Sequence, residues 1–334
     1  MIALHANATR NPCAAPAARK TQPLRDRYPP RPDGMKPEPV EVGLGVTDST
    51  KAENSTQTPP LGRFGVWRHA TGLPPETGAE IEKLGYGTIW IGGSPPADLE
   101  VAERLLDATE TVVVATGIVN IWTAPADEIA ASYHRLEERH PGRFLLGVGV
   151  GHPEAHGETY RKPYTALVEY LDVLDREGVP AARRVLAALG PKVLKLSADR
   201  SAGAHPYLTT PEHTREARDV LGPDVVLAPE QKIVLSTDVA TARDVGRKAV
   251  ANPYLKLRNY RANLERTGFT AEELDNDGTD RVVDALVAHG DAEYIATRLR
   301  EHLDAGADHV AVQTLPMRDD PVPALREVAA ALGL

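Results

Sequence analysis

The sequence predicts an α/β fold, a closed parallel (β/α)8 barrel of the TIM type preceded by a disordered, proline-rich extension. Three observations carry this. From residue 61 onward, short β-branched or apolar runs alternate with helical stretches eight times over about 250 residues, the size of one such barrel. Several of the runs are continuously apolar, as strands buried on both faces must be. Residues 1–60 show neither the period of a strand nor that of a helix, and hold ten of the 28 prolines and one aromatic, Tyr28. An open doubly wound sheet is the main rival. The division is therefore 1–60 as extension and 61–334 as barrel domain, with Met35 an alternative start inside the extension.

The elements follow in order. Strand one is expected at 62–67, and Pro74 and Pro75 suit the first turn of the helix after it, which stops at Gly85. Strand two is 88–91, ended by Gly92 and Gly93. Asp98 opens a helix whose Leu99, Ala102, Leu105 and Leu106 share a face. The stretch 111–122 contains strand three. Val112, Val113 and Val114 start it, Gly117 interrupts it, Ile118 and Val119 resume it, and Asn120 and Trp122 end it. A helix runs from Pro125 to about Arg139. Strand four is 144–150, followed by a helix with Leu167, Leu171 and Leu174 on one side. Strand five is 185–189, strand six 205–208 and strand seven lies within 225–235. Thr210 is the expected cap of the helix 211–221. Helical segments without an intervening strand then reach about Ala305, and strand eight is 309–315.

Composition removes several function classes. A net charge of −9 leaves no basic surplus for phosphate neutralisation, against a nucleic-acid partner. No apolar run approaches the roughly 20 residues of a membrane span. Cys13 is the only cysteine, so an intrachain disulfide is impossible and the cytosol is the natural compartment. No zinc spacing, Walker sequence or serine-nucleophile motif occurs, which speaks against a metal centre, nucleotide triphosphatase or covalent hydrolase.

In a barrel, chemistry gathers at the C-terminal strand ends. Gly117 interrupts a strand, which marks either a plain bulge or a place where a ligand approaches bare main chain. Gly147, Gly149 and Gly151 lie along strand four and do not open a helix, so they are no dinucleotide fingerprint. They would clear space for a ligand at the mouth. Gly190-Pro191-Lys192 follows strand five and starts a helix, an ordinary turn or a phosphate site. His152 and His69 stand at strand mouths, where each is a candidate acid or base or a surface histidine. Glu154 and Glu230 are further candidate acids.

The segments GYGTIWIGG, ATGIVNIW, PGRFLLGVGVGHPE, AALGPKVLKLSADRSAGAHPYLTTPEHT, VVLAPEQ and AGADHVAVQTL, taken in order, resemble the bacterial-luciferase-like flavin and deazaflavin oxidoreductases. Within these they look like an actinobacterial subgroup of probable coenzyme F420-dependent oxidoreductases. The resemblance implies a deazaflavin held at the barrel mouth, with a cis peptide at Gly117–Ile118 backing its ring. The implied cofactor contacts are Gly117, Ile118, Val119, Asn120, Gly149 and Gly151, with Leu189, Gly190, Pro191 and Lys192 around the phosphate. His152 occupies an acid-like position of the family, and Gly92, Gly93 and Ser94 replace the acid–histidine pair that some relatives carry after strand two.

The implied chemistry is hydride transfer between the cofactor and a small organic substrate. His152 is the first choice of proton carrier, then His69 and Glu154, while Trp67, Trp122 and Gln313 line a substrate pocket. FMN with monooxygenase chemistry is the alternative, and a barrel that binds flavin without turnover is the second. Members of that family often dimerise.

Overall fold

Adjacent parallel strands, each buried on both faces, define the architecture. The computed structural model describes residues 57–152 and 162–334, and Glu154 lies outside them. Strand β1 (Phe64–His69) pairs with β2 (Thr88–Gly92), and β2 with β3 (Val113–Thr116). Next, β3 pairs with β5 (Phe144–Gly149), β5 with β6 (Arg184–Leu186), and β6 with β7 (Gly203–Ala204). A short β4 (Val119–Asn120) continues β3 and pairs with β5. The seventh position consists of β8 (Val226–Leu227), on β7, and β9 (Glu230–Leu235), on β11 (Val310–Thr314). Because β11 also pairs with β1, the eight positions form a ring that closes through the two halves of this stave.

Alternation along the strands separates two cores. Ile89 and Ile91 of β2 face outward with Val310 and Val312 of β11, into a cluster completed by Ile81, Leu105, Ile129, Leu136, Leu171 and Leu174 of the surrounding helices. Each such aliphatic side chain contributes roughly 1.5–3 kcal/mol when taken from water. Inward, β2 presents Trp90 and β11 presents Ala311, among Val113, Ala115, Leu145 and Val185.

The helices begin where the sequence places them. The Thr210 hydroxyl accepts from the His213 N–H at the start of Pro211–Leu221, and Asp291 caps Ala292–Asp304. Several boundaries differ from expectation. Gly62 has a φ of +69°, a turn conformation, so strand one begins two residues later than expected. Strand five starts one residue early and ends at Leu186. The sixth strand is Gly203–Ala204 and not 205–208. Pro206 has no N–H to give, and Leu208 adopts a φ of +55°. Strand seven breaks because Pro229 interrupts its ladder.

A strand the helical pattern concealed, β10 (Val287–Gly290), pairs with β9 outside the ring. Val282, Val283, Leu286 and Val287 keep helical spacing straight into it. The closing helix Val322–Leu332 was also unanticipated.

Gly147 and Gly149 serve the strands more than a ligand, contrary to expectation. A Cβ on Gly147 would lie 1.8 Å from the Thr116 carbonyl oxygen, and one on Gly149 would meet Ile118 and Ala187 within 2.9 Å. Gly190 differs, for its Cβ would meet nothing within 4 Å. We predict that Gly147→Ala costs at least about 3 kcal/mol by forcing backbone apart, whereas Gly190→Ala stays within about 0.5 kcal/mol. Urea denaturation measures both.

Four buried histidines are held neutral by loss of solvent. Burial lowers His205, His213 and His309 to about 4 and His302 to about 3, from an ordinary 6.5. Between about pH 4 and 6.5 the unfolded chain therefore binds more protons, and stability falls as the pH drops through that window. Each histidine is expected to cost about 2 kcal/mol at pH 5 relative to pH 7.5. A melting temperature unchanged from pH 7.5 to 5 would contradict this.

Candidate functional site at the barrel mouth

A cavity of about 550 Å³ opens at the C-terminal ends of the strands. Its floor is the break between β3 and β4. There the Gly117–Ile118 peptide is cis, the geometry the family resemblance implies. The Trp67 indole N–H donates to the Gly117 carbonyl at 3.0 Å. A Cβ on Gly117 would lie 2.8 Å from Trp67 Nε1 and 3.0 Å from His205 Nε2. Only a glycine fits between these two rings, and its bare main chain faces the cavity.

The break is stitched to the neighbouring strand through one threonine. The Thr116 hydroxyl donates to the Gly147 carbonyl at 2.9 Å and accepts from the Gly147 N–H at 2.8 Å. Beyond the break, the Asn120 side-chain oxygen accepts from the Trp122 N–H at 3.1 Å, and the Trp122 indole donates to the Val150 carbonyl at 2.7 Å. Strand ends three and four are thereby fixed as one rim.

On the same cavity, Gly190 caps the helix Pro191–Arg200, with Pro191 in its first turn and no side-chain hydrogen bond capping its N-terminus. The Lys192 ammonium lies 4.0 Å from the centre of the Tyr164 ring. The Leu189 carbonyl is pinned from behind by the His213 Nε2–H at 2.9 Å and an Arg266 N–H at 3.0 Å. Leu189, Gly190 and Lys192 all line the cavity. Pro191 has no N–H and the Val193 N–H donates to the Gly190 carbonyl at 3.1 Å, so the Lys192 N–H and ammonium, with the positive end of the helix, are what this start can present to an anion.

Two histidines at the mouth have fixed tautomers. The Thr71 main-chain N–H points at His69 Nδ1 at 3.3 Å. A main-chain N–H can only donate, so the neutral His69 ring carries its proton on Nε2. That nitrogen lies where a Gly93 side chain would be, 2.2 Å from the Cβ position. The histidine of strand one thus fills the space left by glycine after strand two. His205 is the reverse. Its Nδ1–H donates to the Ala228 carbonyl at 2.7 Å, leaving Nε2 a lone-pair acceptor. The ring stacks on Trp90, centroids 4.0 Å apart and planes 7° from parallel. Trp90 donates in turn to His309 Nε2 at 2.9 Å.

Of the residues expected from the sequence, the cavity gathers His69, His152, Gly117, Ile118 and Asn120. It also gathers Gly151, Leu189, Gly190, Lys192 and Trp67. Five described ones stand off its wall. Val119 faces the outer core, Gly149 packs on Ile118, and Pro191 begins its helix. Trp122 braces the rim, and Gln313 accepts from the Tyr207 hydroxyl at 2.9 Å behind the wall. His205, Tyr207, Tyr254 and Tyr260 line the cavity without having been singled out. The signal for the first two is His205-Pro206-Tyr207, which directly follows the strand end at Ala204 and so falls at the mouth.

Glu230 and Lys232 do not reach the cavity. They form a fully buried pair at 3.1 Å inside the barrel, where Glu230 also accepts from the Leu208 N–H at 3.0 Å. Burial raises the Glu230 carboxyl and lowers the Lys232 ammonium from their ordinary ranges. Among the described residues no cluster has the make-up of a metal site, and no helix is long and apolar enough to cross a membrane.

Residues 66–177 match the family described as luciferase-like monooxygenase. Solved structures with the same fold include an F420-dependent secondary alcohol dehydrogenase in complex with an F420–acetone adduct. It is 15% identical with a TM-score of 0.63, covering 82% of this chain and 99% of that one. The coenzyme F420 dependent tetrahydromethanopterin reductase from Methanopyrus kandleri is 17% identical with a TM-score of 0.61, covering 82% and 99%. An FMN complex of the oxygenating constituent of 3,6-diketocamphane monooxygenase from Pseudomonas putida is 11% identical with a TM-score of 0.61, covering 81% and 96%. At these identities the likeness establishes the fold. A search of curated proteins returns no match.

His205→Asn can keep the inward bond to Ala228 while removing the acceptor beside Gly117. We predict that it folds and melts within a few degrees of the parent, because the buried carbonyl keeps a donor. A collapse in melting temperature would show that the ring's stacking on Trp90 and its contact with Gly117, more than the bond to Ala228, hold the floor.

Proposed function

We propose that this chain, which carries a luciferase-like monooxygenase domain over residues 66–177, is an oxidoreductase that holds coenzyme F420 across its barrel mouth. One observation carries the reading. A main-chain cradle at Gly117 and an anion-ready helix start at Gly190–Lys192 open into the same cavity. The site fits a planar group with a charged tail. The glycine face admits a flat ring, the buried His205 Nε2 offers an acceptor beside it, and open space lies above Gly190.

Trp67 fixes the cradle by holding the Gly117 carbonyl. Lys192 and the first turn of its helix neutralise a phosphate, with Leu189 kept in place by His213 and Arg266. Coenzyme F420 supplies, when bound, a carbon that accepts or donates a hydride. His69 holds a proton on Nε2, and the resting His205 ring offers a lone pair, so the mouth contains both a donor and an acceptor. We favour His69 over His152 as proton carrier because Thr71 fixes its tautomer. Glu154, the third candidate, lies outside the described residues. Mouth residues other than Gly117, among them Gly151 and Ile118, give shape and exclude water.

FMN is the second reading, favoured by the FMN-bound monooxygenase that shares the fold. Titration with oxidised F420 and with FMN separates the two. F420 binding is expected, and tight FMN binding with no response to F420 would overturn the reading.

Gly190→Asp is expected to weaken F420 binding at least about tenfold by setting a carboxylate against the phosphate, with stability unchanged. Equal affinity would remove the phosphate assignment. His69→Ala is expected to spare affinity and slow hydride transfer roughly 10²-fold. Loss of binding instead would make His69 a cofactor contact.

A further inference from the structure

One wall of the cavity is built of consecutive rings. Trp67 and Tyr207 have centroids 5.1 Å apart, Tyr207 and Tyr254 5.4 Å, Tyr254 and Tyr260 5.1 Å, and Tyr260 and His152 5.4 Å. These five come from β1, the loop after β5, the segment after β7, and the excursion between β9 and β10. Separate parts of the chain therefore converge on one aromatic arc.

Two hydroxyls of the arc, those of Tyr207 and Tyr254, are engaged by protein partners. Tyr254 donates to Tyr207 at 3.1 Å, Tyr207 donates to Gln313 at 2.9 Å, and Gln313 also accepts from the Lys232 ammonium at 3.2 Å. The ammonium lies 3.9 Å from the centre of the Tyr207 ring. That ring already serves one cation, and no carboxylate lines the cavity among the described residues. The wall thus suits an ammonium ligand poorly. What it offers is ring faces and edges.

We propose that this arc binds a planar, conjugated, uncharged ring compound, and that this is the substrate class of the enzyme. The assignment of that compound as substrate rests on the oxidoreductase reading, while the binding preference follows from the arc alone. A flat ring held there lies in the same cavity as Gly117, His69 and His205, the reach a redox partner of the cofactor requires.

Calorimetric titration of the full chain, with and without bound F420, tests this with three probes: 2-naphthol, its saturated counterpart decahydro-2-naphthol, and phenyltrimethylammonium. 2-Naphthol is expected to bind about tenfold tighter than the saturated alcohol, and the ammonium weakest. Tyr254→Phe keeps the ring and is expected to keep the preference, whereas Tyr254→Leu is expected to reduce it to threefold or less. Equal affinity for the two alcohols, tightest binding of the ammonium, absence of binding by all three, or a preference that survives Tyr254→Leu would each overturn the proposal. Naphthol preference in a chain that binds neither F420 nor FMN would sink the cofactor reading alone. Cofactor binding without that preference would sink the aromatic site alone.

Discussion

The main chains of the third and fourth staves meet at Thr116 and Gly147 with no room for a side chain between them, and the mouth depends on that contact. A Cβ at Gly147 would sit 1.8 Å from the Thr116 carbonyl oxygen, well inside van der Waals contact distance. The contact lets one threonine hydroxyl serve both a donor and an acceptor of the facing strand. With its edge bonded in this way, the third stave stops after Thr116, turns at Gly117 and resumes as β4 against the same neighbouring strand. The turn brings bare backbone to the cavity, and Trp67 and His205 hold it from either side.

Beneath the mouth the barrel interior is unusually polar. A buried lysine–glutamate pair, a buried glutamine and two buried histidines share it with Trp90. Taking a lysine and a glutamate out of water costs several kcal/mol per ion, only partly returned by their attraction. Here the pair is joined to the outer wall. Lys232 reaches Gln313, Gln313 reaches Tyr207, and Tyr207 reaches Tyr254. The ions therefore orient the aromatic side of the cavity, and the His309–Trp90–His205 series orients its floor.

Much of this was legible in the sequence. Eight apolar runs between helices define a parallel barrel because strands covered on both faces leave no other composition. The break at Gly117 was readable because glycine inside a β-branched run has few other uses. The helix start at Gly190-Pro191 was readable because proline is tolerated there and almost nowhere else in a helix. The sixth stave was misplaced, since Gly203-Ala204 has no strand character of its own. Its close approach to Val226, 1.9 Å from the missing Cβ, is a tertiary demand. His205 follows that strand's last residue, a position that a strand drawn over 205–208 conceals. The strand Val287–Gly290 was hidden by helical spacing that runs through its boundary. The aromatic arc joins residues up to 193 positions apart, from Trp67 to Tyr260, and no local pattern announces it.

A crystal structure of the chain soaked with oxidised coenzyme F420 measures the central claim most directly. Density for the flat ring is expected against the cavity-facing main chain of Gly117, with the phosphate at Gly190–Lys192. Ring density away from that backbone, or a phosphate bound elsewhere while the Gly190 helix start stays free, would contradict it.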